Sequence, residues 1–235
     1  GKYIAFCEGD DYWFDPFKLY IQVHFMEDHP DYAGCTHDTI IYDCRKQSFF
    51  RKYGNYGMDT DIPATDAISW GPTHKAHLSS WLIDSKYIFC SKPRYVSSYK
   101  GVGDQPLLTF FTLTGKVRFL NLTMSTYNMF SCATSWRVRN TTNKAANIAL
   151  INRRIHFFEV LRDEAPPQYH EFISDLISKD RLSIAMISGD YRTIYSKENK
   201  KAYKALSIKT KFRIFLKRIK DSVTSCDRSE TNHQQ

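Results

Sequence analysis

Glu8, Asp10 and Asp11 place three carboxylates within four residues, directly after the apolar run Tyr3-Ile4-Ala5-Phe6-Cys7. Like charges this close repel, and partial burial drives each towards its protonated form. A divalent cation removes the conflict by supplying the opposite charge, and all-oxygen ligands favour Mg²⁺ or Mn²⁺ over Zn²⁺. Gly9 is expected to let the backbone turn there and to permit close approach of a ligand. The bland alternative is an acidic turn that only solvates a strand end and caps the next helix. The apolar strand before it and Tyr12-Trp13 after it favour the ligand-binding reading. His74 and His77 form a further pair, at a spacing that suits two ligands on a helix. Gly71-Pro72 before them argues instead for a loop running into a strand.

These side chains need elements to hold them. The run Tyr3 to Cys7 reads as a strand covered on both faces, as in a parallel sheet. Asp15-Pro16 marks a helix start, with Phe17, Ile21 and Phe25 at spacing four and an end near His29-Pro30. Tyr32 to Cys35, Thr39 to Tyr42, His77 to Ile83 and Lys116 to Leu122 read as strands. Residues 45–75, rich in Gly and Pro, read as a long loop region. A helix opens at Asp104-Gln105-Pro106, with Asp104 as its N-cap, and stops at Gly115. Helical patterns then cover Ile148 to Leu161, Pro167 to Leu182, and Asp190 to Ile219 with a break near Leu206. The expectation is an α/β front, residues 1–136, a helical basic region, 137–222, and a disordered tail, 223–235. A fully apolar first strand needs neighbours on both sides, so the chain is expected to be a fragment lacking an N-terminal part of the sheet.

Composition narrows the functions. The 235 residues are 42% hydrophobic and 15% aromatic, ample for a buried core and too apolar for a disordered chain. No stretch reaches the roughly 20 apolar residues of a spanning helix, and no signal peptide is recognisable at the start. Six cysteines stand far apart without a Cys-x-x-Cys pair, which reads as free thiols in a reducing compartment and leaves the sequons at Asn121 and Asn140 without meaning. The net charge of +8 is uneven: residues 1–136 hold 13 basic and 14 acidic side chains, whereas residues 137–235 hold 20 and 11. Two jobs in one chain are implied.

The run from Gly1 to Trp13, followed by Asp15-Pro16 and Lys18-Leu19, closely resembles the metal-binding segment of family 2 glycosyltransferases of the GT-A fold. Glu8 stands where that family most often has Asp. The resemblance implies that Asp11 holds the metal that bridges the donor diphosphate, with Asp10 and Glu8 beside it. Asp10 and Gly9 would lie along the nucleotide sugar. Gly103-Asp104-Gln105-Pro106-Leu107 is similar to the family segment whose Asp is the base of inverting members. A carboxylate near the acceptor can take the hydroxyl proton as it attacks the anomeric carbon, typically contributing about 10² to 10⁴ in rate. Met124-Ser125-Thr126-Tyr127 resembles the stretch after the family's last core strand. There Asn128 replaces the usual Arg, and Phe130 stands where a His metal ligand is common. Ser135-Trp136 offers a ring that either stacks on a sugar or closes the core. By the same resemblance, His77 falls on the acceptor side, where a sugar contact competes with a structural role.

The resemblance thus implies a partial GT-A-like mixed sheet with flanking helices, followed by an α-helical C-terminal region. The activity it implies is metal-dependent transfer, with inversion, from a nucleotide-diphosphate sugar to a glycan or lipid-linked acceptor. The rival reading is a non-catalytic basic module on a membrane or nucleic acid. Ile208, Phe212, Phe215 and Ile219 form an apolar stripe among Lys209, Lys211, Arg213, Lys217, Arg218 and Lys220. That pattern over 206–220 suits an anionic membrane surface, with packing of the stripe on the domain as its competitor. No motif supports nucleic-acid binding. The expected location is the cytoplasm, peripheral at the inner face of the membrane.

Overall fold

A computed structural model describes residues 1–54, 56–70, 76–99, 103–131 and 143–231, the side chains being described as far as residue 220. His74, Trp136 and Cys132 lie outside the described residues. The chain divides into two compact units, Gly1–Ile173 and Ser174–Gln235.

The first unit is α/β and is built on a mixed sheet. Its strands are β1 (Tyr3–Ala5), β2 (Tyr12–Trp13), β3 (Tyr32–Asp43), β4 (Ser48–Lys52), β5 (Thr60–Asp61), β6 (Leu82–Asp84) and β7 (Lys116–Met129). They run in the order β1-β6-β3-β7-β2, with β4 pairing β3 and β5 pairing β7. Among the described residues only the long β3–β7 pair is parallel, and every other pairing is antiparallel. The first strand corrects the sequence reading. Among the described residues it pairs with β6 alone and is half-buried, so it is not a fully covered strand of a parallel sheet.

Strand β3 joins two segments that the sequence separates. The polar run Thr36-His37-Asp38 interrupts the apolar pattern, yet it is buried inside one strand. Buried polar groups are tolerated when they are hydrogen-bonded. Asp38 Oδ1 accepts from the Thr39 and Gly54 amides, each at 3.0 Å, and Thr39 Oγ1 meets Ser125 Oγ at 2.9 Å. The first helix, α1, is Lys18–Asp28, and the expected loop region at 45–75 carries β4, β5 and a short second helix, α2 (Ala64–Ser69). Likewise His77 to Ile83 is not one strand, since a 3-10 turn, Leu78–Ser80, precedes β6.

Helix α1 starts two residues later than expected, with Phe17 at the cap position, and its most buried face is shifted by one residue from the expected one. Asp15 Oδ1 accepts from the Phe17 amide at 2.8 Å, closing a turn before the first helical residue. Lys18, Gln22 and Met26 are buried, while Phe17 is 65% exposed. The Lys18 ammonium donates to Gln22 Oε1 at 2.6 Å and lies 4.1 Å from the centroid of the Trp13 ring. Burial lowers the Lys18 pKa to about 8. Lys18, Gln22 and Met26 thus take the innermost positions, with Ile21 and Phe25 partly buried against the same core and Phe17 left outside.

Helices α3 (Ser85–Phe89), α4 (Arg94–Ser98), α5 (Asp104–Thr114) and α6 (Lys144–Glu164) complete most of the unit. Glu164 joins α6 to α4, accepting from Arg94 Nε at 2.6 Å and the Tyr95 amide at 3.2 Å. The second unit comprises the rest of α7 (His170–Ser188), with α8 (Tyr191–Ile194), α9 (Lys200–Ala205) and α10 (Ile208–Thr231). Leu182, Ala185, Ile194, Ala202 and Ile214 form its core. Leu206 and Ser207 separate α9 from α10, at the expected break. Helical backbone continues to Thr231, into the segment expected to be disordered, because adding residues to a formed helix is easy compared with nucleating one. No helix among the described residues is long and apolar enough to cross a membrane.

Candidate functional site

The acidic segment leaves β1 and turns at Glu8–Asp11, where the Asp11 amide donates to the Glu8 carbonyl at 3.1 Å. Strand β2 then pairs with β7 in a register that sets Tyr12 against Thr126 and Trp13 against Ser125. This register brings Asn128 to the turn. Its backbone amide donates to Asp11 Oδ1 at 2.9 Å, and its side-chain amide donates to the Asp10 carbonyl. Phe130 follows at φ 63°, a left-handed conformation unusual for a bulky residue. Its ring lies 3.3 Å from the Arg45 guanidinium. Beyond this bend, Ser131 Oγ donates to Asp10 Oδ2.

His77 reaches the acids from the residue before the 3-10 turn. Its Nδ1 is 3.5 Å from Asp11 Oδ2 and its Nε2 is 3.8 Å from Glu8 Oε2. Tyr127 stacks on the imidazole with centroids 4.4 Å apart, and Tyr53 meets it edge-on at 4.9 Å. A proton on Nδ1 is donated to Ser79 Oγ, 2.9 Å away, which leaves the Nε2 lone pair towards Glu8. In the other tautomer, Nδ1 accepts from the Ser79 amide at 3.3 Å.

Burial governs the charges. It raises the Asp11 pKa to about 7, with Glu8 and Asp10 adding repulsion and the Asn128 amide opposing the rise. The Asp11 side chain is fully buried, and its Oδ2 has no hydrogen-bond partner among the described residues. Burial also raises Glu8, with further repulsion from Asp104 and Asp10, so α5 brings Asp104 within electrostatic reach of the cluster. Asp104 is itself raised by burial. His77 moves the other way, lowered by burial to about 4, which keeps its ring neutral near pH 7.

The donor set fits a divalent cation. One ligand atom each from Glu8, Asp11 and His77 lie within 4.8 Å of one another. Asp11 Oδ2 is an orphaned buried acceptor, a position that a cation satisfies. A neutral imidazole beside two carboxylates admits Mn²⁺ as readily as Mg²⁺. Asp10 does not belong to this trio. It is exposed, and Ser131 engages its carboxylate.

Two expectations therefore change, and His77 gains a defined place. It stands among the acids, 6% exposed and flanked by two tyrosines. Gly9 has no left-handed φ, and a Cβ there would meet nothing within 4 Å, so the turn does not require glycine. Asp104 is the first residue of α5 and Gly103 is the cap. Residue types missed Asn128, Ser131, Tyr127 and Tyr53. For Tyr127 and Asn128 the strand pattern through Met124-Ser125-Thr126-Tyr127 is the available signal, and the β2–β7 register brings that strand to the acidic turn.

No family model matches the chain. Similar segments occur in uncharacterized proteins of Mycobacterium bovis and of two Mycobacterium tuberculosis strains, CDC 1551 and H37Rv. Each is 50% identical over 44 residues, covering 18% of this chain and 13% of the relative. The chain thus matches a small part of the length of these curated relatives, whose names assign no activity.

Proposed function

We propose that the chain carries the metal- and acceptor-activating edge of a nucleotide-sugar glycosyltransferase of the GT-A type, related to family 2. The observation that carries this reading is the buried, unpartnered Asp11 Oδ2 with Glu8 and His77 around it. Glu8, Asp11 and His77 would hold Mg²⁺ or Mn²⁺, which would supply positive charge to offset that of a departing diphosphate. Asp10, at the exposed side of the turn, accepts from a donor hydroxyl. Asp104 takes the proton of the acceptor hydroxyl as that oxygen attacks the anomeric carbon. The bond to the diphosphate oxygen breaks on the opposite face, so the configuration inverts. Burial supports this role, because a carboxylate lifted above its ordinary pKa holds a proton better once it has taken one. The acceptor is a glycan or a lipid-linked sugar.

The test uses the full chain with Mn²⁺ and a panel of uridine, guanosine and thymidine diphosphate sugars. Asp104→Asn is expected to lower donor turnover by about 10²-fold or more while Mn²⁺-dependent nucleotide binding stays within about threefold. Asp11→Asn is expected to lose that binding. Unchanged turnover in Asp104→Asn removes Asp104 as the base, and nucleotide binding indifferent to Mn²⁺ removes the metal site.

A further inference from the structure

Helix α10 opens with thirteen residues, Ile208 to Lys220, that hold six basic side chains and no acid. At about 100° per residue, Phe215, Ile208, Ile219, Phe212 and Leu216 share one arc about 100° wide. All five are exposed, from 47% at Ile219 to 86% at Ile208. Ile214 lies about 150° from the centre of that arc and is the buried apolar residue of the segment, packed in the core of the second unit. The helix is therefore anchored through one face and leaves a wider apolar face uncovered on nearly the opposite side. The sequence left packing of this stripe on the domain as an alternative; the core of the second unit does not include it.

Charge identifies what covers the stripe. Lys209, Lys220 and Arg213 line one margin of the arc, and Lys211 and Arg218 line the other. Long basic side chains can lay their stems along an apolar layer while their heads reach anionic groups at its rim. A second copy of the chain would set like charges against each other at both margins. A nucleic acid would satisfy the cations and leave five apolar side chains in water.

A second feature lies on the same margin. Tyr195, Ser196, Lys197, Lys200 and Tyr203 line an open recess of about 310 Å³. The Arg218 guanidinium is 5.4 Å from the Tyr195 ring, and the Lys211 ammonium is 5.7 Å from the Tyr203 ring. Lys197 and Lys200 thus line the recess, and Arg218 and Lys211 contact two of its rings, the Lys211 ammonium also donating to the Lys204 carbonyl at 2.8 Å.

We propose that α10 docks in the headgroup layer of an anionic bilayer, burying Ile208, Phe212, Phe215, Leu216 and Ile219 among acyl chains, with a lipid phosphate entering the recess at Lys197 and Lys200. This docking does not rest on the sugar-transfer reading, and no donor or metal enters its test. The full chain is floated with phosphatidylcholine vesicles containing or lacking about 30% phosphatidylglycerol. Partition is expected to be at least tenfold higher on the anionic vesicles and to fall in about 0.5 M salt. Phe212→Ser with Phe215→Ser should retain the circular dichroism spectrum, since both side chains are exposed, and lose tenfold or more of the partition. Lys197→Gln with Lys200→Gln should lose about threefold on anionic vesicles only. Equal partition on neutral vesicles, or full partition by the phenylalanine double variant, overturns the proposal. So does a lipid-free dimer abolished by that variant, or displacement from vesicles by an oligonucleotide. Unchanged partition in the lysine double variant removes the recess from it.

Discussion

One oxygen of the Asp11 carboxylate is held by the Asn128 amide at 2.9 Å, and the other has no hydrogen-bond partner among the described residues. That asymmetry has a pH signature. Asp11 ordinarily ionises near 3.8 and in the fold near 7, so its contribution to stability is complete below the ordinary value and is lost as pH rises through about 7. His77, lowered from 6.5 to about 4, acts in the opposite sense: its contribution is present above 6.5 and is lost as pH falls through about 4. Comparison with Asp11→Asn removes the part the two proteins share. The melting temperature of the parent protein is expected to decline relative to that of Asp11→Asn between pH 4 and 8 without metal. Mn²⁺ takes the ionised carboxylate, so its apparent affinity should rise by up to about tenfold per pH unit below 7 and level off above. Parallel melting curves for the two proteins, or a Mn²⁺ affinity flat across this range, would contradict the assignment.

Strands β3, β6 and β7 fix the acids' surroundings, and Gly34 shows how closely they pack. A Cβ at Gly34 would come within 2.4 Å of Ile83 Cδ1 and 2.6 Å of the Leu82 carbonyl oxygen. A side-chain methyl can rotate away, but a carbonyl in the β3–β6 ladder cannot move without loosening the pairing. Gly34→Ala is therefore expected to cost about 1–3 kcal/mol in urea unfolding, the usual range for overpacking. A midpoint equal to the parent's would show that the ladder yields. The limits of sequence reading appear in the same elements. The cap-like Asp15, the stop at Gly115 and the break near Leu206 were legible because they depend on neighbours along the chain. The unity of β3 was not, since Thr36, His37 and Asp38 look like a loop until the partners of Asp38 and Thr39 are known. The inward face of α1 was hidden in the same way: Lys18 is buried because Trp13 and Gln22 receive its ammonium.

Charge and site divide between the two compact units. The carboxylate cluster and all four tryptophans fall within Gly1–Ile173, whereas the basic run from Lys197 to Lys220 falls within Ser174–Gln235. Tryptophan fluorescence thus reports the first unit alone, and far-ultraviolet circular dichroism reports both. Saturating Mn²⁺ is expected to raise the fluorescence-detected unfolding midpoint, since a ligand stabilises what it binds, and to leave a helical component of the dichroism unshifted. Coincident shifts by both probes would show that the units unfold as one. Composition, local spacing and capping residues alone determined the α/β front, the acidic turn after an apolar strand, and the basic amphipathic helix, because each is written in residues near one another in the chain. The tertiary structure decided that His77 joins Glu8 and Asp11, that Asn128 and Ser131 brace the turn, and that α10 meets the core of its own unit through Ile214 and not through the apolar stripe. Those outcomes depend on strand register and on which helix face meets a core, and residues far apart in the chain set both.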